Sequence, residues 1–231
     1  MTSPIILALD TNDLSIAKAW VKATRDSVNV YKVGLEFFLK FGKNGLTELK
    51  SDSQVDIFLD LKLHDIPNTV SAAVKSVSDL NPKFLTIHSS GGAAMVKAAA
   101  ESAPHVSITA VTILTSLSEE DLAQIGFHPG ISKRAVQLAK LAVDNGAKAI
   151  VCSPHEISEI RNVIPQDISI ITPGIRPVTG ETKDDQKRTM DPKQAISLGA
   201  NYLVIGRPIT SLWSEGADKM TERAAQIKAE I

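Results

Sequence analysis

The residues best suited to do chemistry in this chain are Asp60, Lys62 and Asp65, in the stretch D-I-F-L-D-L-K-L-H-D-I-P-N-T-V over Asp56–Val70. Ile57, Leu59, Leu61 and Leu63 alternate there with Phe58, Asp60, Lys62 and His64. Period two reads as a strand with Asp60, Lys62 and His64 on one face and aliphatic side chains on the other. A structural salt bridge is the ordinary reading of Asp-x-Lys. The central strands of a parallel sheet, however, are covered on both faces, where charges are costly unless paired or used. A lysine between carboxylates stays protonated, which suits an acid or electrophile better than a nucleophile. Asp65 follows at the strand end as the expected N-cap of a helix opened by Ile66 and Pro67.

Other strand ends carry charge as well. Asp10 and Lys32 are placed to extend the alternating array of Asp60 and Lys62 across neighbouring strands. Gly206-Arg207 after the last strand suits a phosphate, since glycine lets backbone N–H groups approach an oxygen and guanidinium grips two oxygens at once. Arg176, in Gly174-Ile175-Arg176-Pro177, is expected to reach the same anion. The polar loop Val178–Met190, thirteen residues long, reads as a lid over that site. The five histidines show no metal-ligand spacing. A divalent ion on Asp60, Asp65 and a histidine would have Lys62 among its ligands, opposing it. Cys152 is the only cysteine, which excludes a disulfide framework and a cysteine zinc site within one chain. It reads as a small core residue.

These residues need a scaffold that brings strand ends together. Apolar runs at Ile5–Asp10, Val30–Leu35, Asp56–His64, Phe84–Ser89, Ser107–Leu114, Ala149–Ser153, Ser169–Pro173 and Tyr202–Gly206 read as strands. Helical patterns lie between them, over Asp13–Arg25, Phe37–Lys50 (broken near Gly42–Gly45), Ile66–Leu80, Ala93–Ala103, Glu119–Ile125 with Ser132–Asn145, Glu156–Val163 and Pro192–Leu198, and a last one covers Asp218–Glu230. Eight β–α units over 231 residues, with no linker or shift in composition, predict one α/β domain over 1–231, a closed (β/α)8 TIM barrel. An open doubly wound sheet is the competitor, but there is no G-x-G-x-x-G after the first strand. In a barrel Asp10, Lys32, Asp60, Lys62, His88, Thr115, Arg176 and Arg207 converge on one mouth.

The chain is 43 % hydrophobic, 22 % charged and 4 % aromatic, with a net charge of −1. No basic surplus or aromatic platform points to nucleic acid. No signal peptide or membrane span is visible, so the cytoplasm is the expected location.

The run Asp60-x-Lys62-x-x-Asp65-Ile66-Pro67-Asn68-Thr69 resembles the signature of the orotidine 5′-phosphate decarboxylase family. The likeness extends over nearly the whole chain: A-L-D at 8–10, Y-K-V-G at 31–34, V-T-I-L-T-S at 111–116, I-T-P-G-I-R-P at 171–177 and V-I-G-R-P at 204–208. D-x-K-x-x-D alone is shared with metal-dependent relatives; the D-I-P-N-T extension separates them. The resemblance implies a decarboxylase of orotidine 5′-monophosphate, acting at the last step of pyrimidine nucleotide synthesis, homodimeric, and using neither metal nor organic cofactor. It implies Lys62 as proton donor to C6 and Asp60 beside the departing carboxylate. Asp65 and Thr69 would be lent to the neighbouring subunit's ribose. Asp10 and Lys32 would bind ribose hydroxyls, and Thr115 the pyrimidine, with Ser116 as the alternative. Arg176, Gln186, Gly206 and Arg207 would hold the phosphate, and His64 receives no role. Without the resemblance, the spacing leads to a phosphate-binding barrel enzyme with a catalytic lysine. A Mg2+-dependent sugar-phosphate enzyme and a non-catalytic nucleotide-binding barrel are the two rival readings.

Overall fold

Short aliphatic runs such as Ile5-Ile6-Leu7-Ala8 can be stable as strands only when both faces are covered. The computed structural model, which describes residues 3–51, 53–127, 130–177 and 188–231, covers them in a closed barrel. The strands are β1 (Ile5–Ala8), β2 (Val30–Val33), β3 (Asp56–Leu63), β4 (Phe84–His88), β5 (Ser107–Val111), β6 (Ala149–Val151), β7 (Ser169–Thr172) and β8 (Tyr202–Ile205). They pair in parallel in sequence order, and β1 closes on β8 through Ile5↔Leu203, Ile6↔Val204 and Leu7↔Ile205. Closure decides between the two expected architectures: this is a (β/α)8 barrel, and an open sheet is excluded.

Helices return the chain to the start of each strand. The helix Leu14–Thr24 begins at Asp13, whose Oδ1 accepts the N–H groups of Ser15 and Ile16. The segment Leu35–Ser51 breaks at Gly42, where φ is +58°, a backbone region open to glycine at little cost. Two helices, Glu119–Gln124 and Ile131–Asp144, fill the β5–β6 connection. The last helix, Ala217–Glu230, packs on the first. Among the described residues no helix is long and apolar enough to cross a membrane.

Strand parity sorts the buried side chains into two sets. Leu7, Tyr31, Val33, Leu59 and Leu85 point outward into the layer shared with the helices. Ile6, Val30, Phe58, Phe84, Ala149 and Ile171 point inward and form an apolar floor. Phe84 meets Phe58 and Tyr202 edge-on, with centroids 5.8 and 5.3 Å apart. Two residues further along, the same inward parity delivers Lys32 after Val30, Asp60 after Phe58 and Thr86 after Phe84. The floor therefore seals the barrel below a polar layer, which lies at the C-terminal mouth.

Candidate active site

The mouth holds a cavity of about 260 Å3 lined by Asp10, Lys32, Asp60, Lys62, Thr115, Arg176, Gly206 and Arg207, with Phe58 and Val111 beneath. Its centre is Asp60, buried at 8 % exposure. Lys62 Nζ donates to both Asp60 oxygens at 2.8 Å. Lys32 Nζ lies 3.7 Å from Asp60 Oδ2 and donates to Asp10 Oδ1 at 3.1 Å. Four charges thus alternate in sign across β1, β2 and β3. Burial works to raise the Asp60 carboxyl pKa. The ammonium groups of Lys32 and Lys62, with hydrogen bonds from Lys62 and Thr86, outweigh it and hold the pKa below the ordinary aspartate value. Gly34 leaves room for this array, since a Cβ there would come within 3.3 Å of Lys32 Nζ.

β3 does not run straight into the site. Its pairing with β4 steps from Leu59↔Leu85 to Leu63↔Ile87, so four residues of β3 span two of β4. This is a bulge, and Lys62 within it has φ +49°. A non-glycine residue there is strained and persists only where its surroundings hold it. The Lys62 N–H, which has left the regular ladder, donates to Thr86 Oγ1 at 2.8 Å.

Two expectations at the end of β3 are corrected by the structure. Asp65 does not cap the helix: the N-cap position of Pro67–Ser78 falls to Ile66, without a side-chain cap bond, and Pro67 takes the first turn. Asp65 Oδ1 instead accepts the N–H of Ile66 at 2.6 Å. Pro67 supplies no N–H of its own to be capped, so the carboxylate turns back onto its immediate neighbour. His64 does not face the barrel interior. The strand ends at Leu63, alternation ceases there, and His64 is exposed at the rim with its ring 5.3 Å from that of His88. Burial, then the nearby His64 and Lys62, lower the His88 pKa.

Asp65 and Thr69 are exposed and lie outside the cavity lining. Thr115 lines the cavity, whereas Ser116 is exposed and does not. Arg176 and Arg207 face the cavity from the β7 and β8 ends, and Gly206 precedes the short helix Arg207–Thr210. Gln186 and most of the expected lid lie outside the described residues. The ends of that connection are tied together: Arg176 N–H donates to Met190 O at 2.9 Å, and Met190 N–H to Gly174 O at 3.1 Å. Cys152 is buried, 1 % exposed, and burial pushes its thiol pKa up. No group of three or more His, Cys, Asp or Glu side chains among the described residues could hold a metal ion.

Two elements escape a reading of the sequence alone. Thr86 lies inside the barrel with no exposed surface; its shared parity with Phe84 and His88 is the signal that could have found it. Arg188 pairs with Glu156, whose side chain is fully buried, and donates to Leu114 O at 3.2 Å. It so ties the far end of the β7–α connection to the segment bearing Thr115. Burial pushes the Glu156 carboxyl pKa up, against the pull of Arg188. This pairing spans 32 residues, and no local pattern announces it.

A closed barrel with an ammonium–carboxylate array on β1–β3 and arginines on β7–β8 defines the class: a (β/α)8-barrel enzyme with its site at the C-terminal mouth. Comparison with known proteins narrows that class. A family model described as orotidine 5′-phosphate decarboxylase / HUMPS matches residues 3–214. The chain is 45 % identical over 231 residues to an orotidine 5′-phosphate decarboxylase of Thermobifida fusca, covering 100 % of this chain and 97 % of that one. It is 47 % identical over 210 residues to the enzyme of that name from Wolbachia pipientis subsp. Culex pipiens, covering 90 % and 92 %. A crystal structure of orotidine 5′-phosphate decarboxylase from Lactobacillus acidophilus superimposes with a TM-score of 0.82 at 31 % identity, covering 98 % and 99 %. The chain belongs to the orotidine 5′-phosphate decarboxylase / HUMPS family.

Proposed function

We propose that this chain decarboxylates orotidine 5′-monophosphate to uridine 5′-monophosphate, the closing step of pyrimidine nucleotide synthesis, without a metal or organic cofactor. The observation that carries the reading is the buried Asp60 held between Lys62 at 2.8 Å and Lys32 at 3.7 Å, in a cavity that Arg207 also lines. The names of the relatives support the substrate.

Loss of CO2 breaks the C6–carboxylate bond and leaves the electron pair on C6, in the plane of the ring. No electron sink such as a pyridoxal ring takes the charge, so it must be met directly. The Lys62 ammonium does this from a fixed position. It then gives its proton to C6, forming the C–H bond of the product, and is reprotonated from water. Asp60 fixes the ammonium and stands beside the departing carboxylate. Asp10 and Lys32 take the ribose hydroxyls and Thr115 the pyrimidine. Arg176, Gln186, Gly206 and Arg207 hold the phosphate. One ammonium supplies only part of the roughly 20 kcal/mol that the largest enzymatic accelerations require. The remainder comes from ribose and phosphate contacts expressed in the transition state.

The direct test follows the loss of orotate absorbance when orotidine 5′-monophosphate is mixed with EDTA-treated protein. Full turnover is expected. Activity that disappears with the chelator and returns with Mg2+ would place the chain with metal-dependent barrel enzymes. Tight binding of uridine 5′-monophosphate without turnover would make it a nucleotide-binding barrel.

The working form in this reading is a homodimer in which Asp65 and Thr69 complete the partner's ribose site. Ile66 is 66 % exposed beside them, and Leu39 is 81 % exposed. Exposed large apolar side chains such as these suit an interface better than solvent. Lys62→Ala and Asp65→Ala should each be nearly inactive alone. Mixed after joint unfolding and refolding, they should recover about a quarter of wild-type sites, because half of randomly paired dimers carry one intact site. A mixture as inactive as its parents would refute shared sites.

A further inference from the structure

We propose that Thr86 is a positioning residue for the reaction, holding Lys62 and Asp60 in register through a single hydroxyl. The inference rests on the decarboxylase reading for its kinetic consequence and on geometry alone for its structural one. Thr86 Oγ1 accepts the Lys62 N–H at 2.8 Å and donates to Asp60 Oδ1 at 3.0 Å. The same Asp60 oxygen receives Lys62 Nζ at 2.8 Å. The bonds close a ring: Lys62 backbone, Thr86 hydroxyl, Asp60 carboxylate, Lys62 ammonium.

Each feature of Thr86 fits that task. A hydroxyl donates and accepts at once, which an aliphatic side chain of its size cannot do. β-Branching leaves Thr86 few rotamers, so the oxygen stays on target. It sits on regularly paired β4, opposite Thr109 and next to Ile87↔Ala110, so its own backbone is fixed by the ladder. β3, by contrast, is bulged at this point, with Lys62 at φ +49°. The rigid strand thus supplies the bond that the irregular strand lacks, and the direction of the lysine side chain depends on it. Thr86 is fully buried beneath the array and is absent from the cavity lining, so it acts through Asp60 and Lys62 and not on substrate.

The test compares Thr86→Val, which keeps the volume and removes both hydrogen bonds, with Thr86→Ser, which keeps the hydroxyl. Thr86→Val should lower kcat roughly a hundredfold, the scale of loss when a reacting group moves by about an ångström, and leave KM within about threefold. Thr86→Ser should restore most of the rate. Thr86→Ala gives the same comparison should the valine variant fold poorly. A second readout needs no substrate: the Asp60 carboxyl, followed by carbon NMR in the ligand-free protein. Lys32, Lys62 and His88 face this group besides Thr86. Loss of the Thr86 donor should raise its titration midpoint in Thr86→Val, and serine should return it. Wild-type protein without turnover would sink the decarboxylase reading, and the midpoint would still judge the ring. An unchanged midpoint, a loss confined to KM or melting temperature, or failure of serine to rescue would each overturn the role assigned to Thr86.

Discussion

Lys62→Ala is expected to lower kcat for orotidine 5′-monophosphate by roughly 10^5- to 10^7-fold while KM changes little. Two losses combine. An ammonium about 4 Å from the carbanion contributes roughly 4 kcal/mol at an effective dielectric near 20, which is about a thousandfold in rate. Removal of a positioned proton donor costs a further factor of roughly 10^2–10^4. KM is spared because the ribose and phosphate contacts remain. Lys62→Arg separates the two terms. Guanidinium keeps the positive charge but is too weak an acid to hand over a proton readily. It should recover part of the electrostatic loss and none of the protonation. The fold survives the alanine change, because Asp60 keeps Lys32 at 3.7 Å and Thr86 at 3.0 Å; a thermal melt checks this. Single-turnover measurement of CO2 release by Lys62→Ala decides the matter. Release at the wild-type rate would remove the lysine from the mechanism.

The fold was legible because its signals are local. Apolar runs bounded by turns mark all eight strands, and amphipathic stretches mark the helices between them. What local pattern cannot give is the partner of each strand. The pairing of Ile6 with Val204, which closes the barrel, joins residues almost 200 positions apart. It was reachable only through the repeated β–α unit and the recurrence of charge at strand ends. Boundaries were less legible: β5 ends at Val111, though the apolar run continues through Leu114. Thr112 leaves the strand while its N–H and hydroxyl still reach Val151 O.

At the site, parity correctly put Asp60 and Lys62 on one face, but for a reason the sequence does not hold. The bulge in β3 is set by its pairing with β4, and a lysine at positive φ runs against local preference. Beyond the bulge the same rule failed, since His64 lies past the last paired residue. Asp65 followed by Ile-Pro looks like a helix cap, yet the proline shifts the cap position to Ile66. Thr86 and the Glu156–Arg188 pair were missed for a common reason. Their meaning resides in contacts between distant segments, and a buried threonine in a strand reads as ordinary β-former.

Arg207→Ala should lower kcat/KM for orotidine 5′-monophosphate by roughly thirtyfold to several-thousandfold, the equivalent of about 2–5 kcal/mol for truncating one member of a charge-assisted pair. Arg207 lines the cavity from the β8 end, three strands round the closed barrel from Lys62 on β3, with Gly206 before it and Arg176 on the neighbouring strand end. In the proposed reading it grips the phosphate and touches no reacting atom. Its effect on the chemical step therefore measures remote binding energy carried into the transition state. A second substrate separates this from a general disturbance of the barrel. Orotidine, which lacks the phosphate, has nothing for the guanidinium to grip. Its slow decarboxylation should differ less than about threefold between wild type and Arg207→Ala. Arg176→Ala should follow the same pattern, and the double variant should approach the phosphate-free substrate in rate. Equal losses on both substrates would mean that Arg207 supports the mouth of the barrel and not the anion, and the phosphate would have to be sought elsewhere on the rim.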